Sequence, residues 1–120
     1  MALPALTSFA QVQAFFNDFI SANNIQIQGA PHQDFWNNIN TNDGFTTAYD
    51  SFVNGNVPNV QDGLGNPVKI LVIGNSAASN IIMVLKGTLA GFAQMPFGGP
   101  YMSDDQIGQF AGWIDKNCPP

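Results

Sequence analysis

Apolar residues return every three or four positions in four stretches of the chain, the spacing that paints one face of a helix. Phe9, Val12, Phe16, Phe19 and Ile20 share a face of a helix predicted over Ser8 to Ala22. Ser8-x-x-Gln11 has capping-box spacing at its start, and Asn23 and Asn24 tolerate the left-handed turn that closes a helix. Phe45, Ala48, Tyr49 and Phe52 predict a second helix from Gly44 to Val53, capped by Asn42 or Asp43 and stopped by Gly55. Ile81, Ile82, Val84 and Leu85 cover more than one face of a third helix, which runs from a cap at Asn75 or Ser76 to Lys86 and ends at Gly87; such all-round apolarity predicts burial. Ile107, Phe110, Ala111, Trp113 and Ile114 form the inner stripe of a last helix. Ser103-x-x-Gln106 opens it, and Asp104, Asp105 and Lys116 complement its dipole.

The intervening segments lack this period. Ile25-Gln26-Ile27-Gln28 alternates as a short extended piece would, and Pro31 breaks what precedes it and can begin a short helix. Asn54 to Pro67 is dense in Asn, Gly and Pro and predicts a long surface loop. Val68 to Ile73 is a β-branched run without an evident sheet partner, and Gly91 to Tyr101 is a second irregular segment. Four helices, two long loops and no internal repeat predict a single all-α domain over residues 1–120.

Charge alters this picture. Arg and Glu are absent, three Lys face eight Asp, and only 9% of residues are charged where about a quarter is usual. A net charge of -5 with scattered lysines argues against a nucleic-acid backbone or an anionic membrane as partner. No run reaches the roughly 18 apolar residues of a membrane span. The N-terminus lacks the regions of a signal peptide, so either the protein stays inside the cell or Met1 stands in place of a removed leader. Cys118 is the single cysteine and forms no intrachain disulfide.

Ser79-Asn-Ile-Ile-Met-Val-Leu-Lys-Gly87, then Gln94-Met-Pro-Phe-Gly-Gly-Pro-Tyr-Met-Ser-Asp-Asp-Gln-Ile107, then Trp113-Ile-Asp-Lys-Asn-Cys-Pro119 occur in that order. From about Phe52 onward the chain resembles the C-terminal half of bacterial cytochrome c domains. The resemblance implies a small helical fold and places Met95 at the distal iron-ligand position. The Cys-x-x-Cys-His motif that would attach a haem is missing: the corresponding region reads Phe19-Ile-Ser-Ala-Asn-Asn-Ile25, and the single histidine, His32, comes later in the chain. A vacated haem site would cost roughly 24 cal/mol per Å³ of unfilled space. Phe15, Phe16, Phe19, Phe35 and Trp36 are the expected filling.

Other chemistry is sparse. His32 with Asp34 lacks a neighbouring nucleophile, and one His with one Cys cannot supply a transition-metal set. Asn38-x-Asn40-x-Asn42 has calcium-loop spacing, but Gly44 comes one place late and Tyr49 stands where a bidentate Glu is needed. Gly63-x-Gly65 is a turn. The expected function is that of a haem-free, non-catalytic domain, without cofactor, that binds a protein partner or a neutral polar ligand such as a glycan. Its contacts would come from the two loops, through Asn54, Asn56, Asn59, Gln61 and Asp62 in the first and Gln94 and Tyr101 in the second. Two alternatives stand beside it: non-covalent haem binding or electron transfer through His32 and Met95, and a carbohydrate-binding module.

Overall fold

The computed structural model describes residues 3–30, 32–39 and 44–120. Helix α1 spans Phe9–Ala22, and the Ser8 hydroxyl accepts from the Gln11 backbone N–H. The box is not reciprocal, because the Gln11 amide oxygen accepts from Thr7 N–H at 2.8 Å instead. Asn23 closes the helix and Asn24 takes φ 53°. The alternating Ile25 to Gln28 stretch does not run extended; Ile27–Gly29 forms a 3₁₀ turn, with Gly29 N–H donating to the Gln26 carbonyl. Pro31, Asn40, Asn42 and Asp43, invoked for a helix start, a cation loop or a cap, lie outside the described residues.

Helix α2 is shorter than its apolar spacing predicts, running over Ala48–Asn54. Thr47 is the cap, its side chain accepting from Asp50 N–H at 3.0 Å. Gly44 at φ 77° lies before that start.

The segment after α2 corrects the expected all-α fold to a mixed α/β one. Asn56–Gln61 (β1) and Pro67–Lys69 (β2) pair antiparallel, with Asn56 opposite Lys69 and Gln61 opposite Pro67. The stretch read as a long surface loop is therefore a hairpin, and the partner missing for the β-branched run is the strand just before it. The register slips between the two pairs, and Asn59 adopts φ 59° inside the irregular strand. Pro58 has no N–H to donate, which a two-stranded edge tolerates. Asp62 stabilises the turn by accepting from Leu64 and Asn66 N–H groups, and these bonds hold its carboxyl below the usual range.

Helix α3, Asn80–Lys86, starts later than expected because Ser76–Ala78 forms a separate 3₁₀ turn capped by Asn75. The Ser79 hydroxyl is buried between the two pieces, donating to the Asn75 carbonyl at 2.8 Å and accepting from Val72 N–H at 2.9 Å. Helix α4, Asp104–Asp115, carries the complete capping box between Ser103 and Gln106. With α1, α2 and α3 it makes the expected four helices among the described residues.

The core is an aromatic stack joining α1, α2 and α4. Phe16 meets Phe110 and Trp36 with ring centroids 5.0 Å apart in each case. Phe52 lies 6.1 Å from both Phe110 and Trp113. Ile70 and Leu71, just after β2, and Ile81, Ile82 and Leu85 of α3 close the core. The C-terminal tail folds back on this stack. Trp113 Nε1 donates to the Pro119 carbonyl at 2.9 Å, and the Tyr49 hydroxyl donates to that of Cys118. Cys118 is fully buried, which pushes its thiol up to about 11.

Candidate functional site

The C-terminal end of a short helix leaves backbone carbonyls without intrahelical partners, and those of α3 set the position of the Met-Pro segment. Gly87 turns the chain with φ 77°. Thr88 N–H then donates to the Met83 carbonyl at 2.8 Å, Met95 N–H to that of Val84 at 2.9 Å, and the Gln94 side chain to that of Leu85 at 3.1 Å. Residues 94 and 95 are thereby fastened along α3. Met95 and the end of α1 border a common open space.

That space is a cleft of about 840 Å³. One wall is the C-terminal half of α1, with Phe16, Phe19 and Ile20; the other is α3, with Ile81, Val84 and Leu85. Phe35, Trp36 and Val60 of β1 also line it, as do Met95, Pro96, Phe97 and Met102. Ile25 and Ile27 both line it, so their alternation does put them on one side of the chain although the backbone is not a strand. Phe97 stands at the edge with 80% of its surface exposed. Of the aromatic side chains of the first half, Phe15 packs on Phe16 and Phe110, and the others border this space without occupying it. Phe16 and Trp36 are buried and stacked on each other, yet with Phe19 and Phe35 they make the wall of the cleft rather than its contents.

The polar side chains of the lining are Asn23, Asn24, Gln26 and His32, and all come from the short stretch after α1. Asn23 donates its amide to the Phe19 carbonyl at 2.9 Å, which fixes the side chain. Asn24 and Gln26 are exposed. His32 stands edge-on to Phe35 with ring centroids 5.3 Å apart, and its Nδ1 is 2.7 Å from the Gln33 carbonyl oxygen. In the neutral ring that contact puts the proton on Nδ1 and leaves Nε2 as an acceptor. Among the described residues, no Asp, Glu, Lys or Arg lines the cleft.

Of the residues singled out in the sequence, the structure brings together His32 and Met95, which line the same cleft from distant parts of the chain. The other candidates lie outside its lining. Asn54 ends α2; Asn56, Asn59 and Gln61 belong to β1; Asp62 is held in the hairpin turn. Gln94 is committed to the end of α3, and Tyr101 is half exposed beside Gly99. The Asp34 carboxylate accepts from the Asn37 and Asn38 side chains, a surface amide cluster that also includes Asn17 and the Trp36 indole N–H. Among the described residues, no three His, Cys, Asp or Glu side chains gather as a metal site, and no helix is long and apolar enough to cross a membrane. Val60, Phe97 and Met102 are lining residues that sequence reasoning misses; of these Phe97 carries a signal, an aromatic ring within Met95-Pro96-Phe97 in a loop rich in Gly and Pro.

Comparison of the chain with family models, curated proteins and solved structures returned no match.

Proposed function

We propose that this chain is a non-catalytic binding domain that takes an apolar small molecule into the cleft between α1 and α3. The carrying observation is the cleft itself: about 840 Å³ of space walled by apolar and aromatic side chains, with a few polar side chains that all come from one stretch of the chain. Small-molecule sites usually occupy about 300–1,000 Å³ and have this kind of lining. Exposed Phe97 at the mouth would lose contact with water when a ligand lies beneath it. Nile red, which brightens in apolar surroundings, tests the reading. Saturable brightening that weakens in Phe97→Ala is expected, and no brightening at micromolar protein removes it.

A second reading, non-covalent haem, is favoured by His32 and Met95 lining one cleft. The donor set fits: Nδ1 of His32 is engaged by a carbonyl, as is common for ring nitrogens opposite a metal, and the Met95 thioether is a known axial ligand type. His32 and Met95 would hold the iron, and haem so held supplies reversible one-electron transfer. The lining offers no cation to the propionates among the described residues, so they would have to stay in water at the mouth. Titration with hemin should give a shifted Soret band that is lost in His32→Ala and in Met95→Ala; an unchanged free-hemin spectrum removes this reading.

A further inference from the structure

The cleft differs from a general greasy pocket in how its polarity is distributed, and this deepens the small-molecule reading, on which it rests. Asn23, Asn24, Gln26 and His32 all come from the stretch that follows α1, whereas α3 and the segment from Met95 to Met102 contribute apolar side chains and the backbone of Gly99. The ligand that matches such a site has a long apolar body and a single polar end. Charge narrows the choice. A carboxylate or phosphate inside would find no lysine or arginine among the described lining residues, and it would approach a chain of net charge -5. A cation would find no carboxylate among the described lining residues. The polar end is therefore uncharged. The direction of the His32 hydrogen bond narrows it again: in the neutral ring, with Nδ1–H donating to the Gln33 carbonyl, Nε2 is left to accept from a group that brings a proton. A hydroxyl does so and a carboxylate does not.

We infer that the cleft binds a neutral amphiphilic alcohol of the isoprenoid or sterol type, its hydroxyl at the His32 edge and its hydrocarbon body between α1 and α3. Trp36 lies in the wall, whereas Trp113 is fully buried in the core, so quenching of Trp36 reports occupancy.

The test is a titration of the whole protein with retinol and with retinoate, which share a tail and differ in the charge of the head. Nile red and hemin serve as further probes. Retinol is expected to bind at least tenfold tighter than retinoate, a ratio read directly as Kd values. Gln26→Lys supplies the missing cation at an exposed lining position; it should raise the affinity for retinoate relative to retinol several-fold. A ratio below tenfold in the native chain, with Nile red still bound, overturns the neutral-alcohol assignment and leaves the apolar site standing. Hemin binding tighter than retinol overturns it in favour of the haem reading. No binding of any probe by a protein with a cooperative thermal transition overturns both this inference and the reading beneath it.

Discussion

Gly87 sits where two constraints meet. Its φ of 77° is a left-handed conformation, and a Cβ there would stand 2.9 Å from the Gln94 amide oxygen. Gly87→Ala should therefore destabilise the fold by roughly 1–2 kcal/mol, beyond the cost of the dihedral alone, because Gln94 must leave the Leu85 carbonyl. Urea denaturation measures the loss. The same displacement would loosen Met95, so ligand affinity should fall with stability. Cys118 gives a pH-dependent prediction. Burial raises its thiol to about 11, and burial also raises the Tyr49 phenol above its ordinary value. A raised folded-state value means that the folded chain holds the proton more tightly. The associated stability is present below about pH 9 and is lost as pH rises through about 11. A drop on the order of 2 kcal/mol between pH 7 and pH 11 is expected in chemical denaturation, with a shallower slope in Cys118→Ala.

At the scale of elements, capping explains both what the sequence reveals and what it hides. In α4 the Ser103 and Gln106 side chains each satisfy a backbone N–H at the helix start, so Ser103→Ala should cost about 1 kcal/mol by thermal or urea unfolding. The helical stripes of α1 and α4 are legible because period and cap agree in each. The late start of α3 is not, since Asn75 caps a 3₁₀ turn and Ser79 is drawn into bonds with Asn75 and Val72 that local sequence does not announce. The hairpin is hidden for a different reason. Asn56 to Gln61 contains Pro58 and a left-handed Asn59, both of which speak against a strand in isolation; pairing with Pro67–Lys69 overrides them. The site is partly readable. His32 and Met95 are named from the sequence only as the pair a haem would use, yet their shared cleft depends on how residues 94–95 bind the end of α3, a contact across the third helix that spacing alone does not show.

For the whole molecule, the proposed binding would be linked to stability, because the cleft is walled by the same residues that build the core. Phe16, Trp36, Ile81 and Leu85 belong to both. A ligand held at a hundred times its Kd should raise the unfolding free energy by about 2.7 kcal/mol, visible as a shift in melting temperature that scales with ligand concentration. Helix α4 bears on the order in which this architecture can assemble. Its face carries Ile107, Phe110, Trp113 and Ile114 into the aromatic stack, and it also grips both ends of the chain. Leu6 N–H donates to the Gln109 carbonyl at 3.2 Å, the Gln109 side chain to that of Pro4 at 3.1 Å, and the tail returns to Trp113. Contacts spanning nearly the full sequence cannot form until its last segment is available. During synthesis the residues before α4 would thus emerge with Phe16 and Phe52 uncovered, and the aromatic stack would close only after α4 leaves the ribosome.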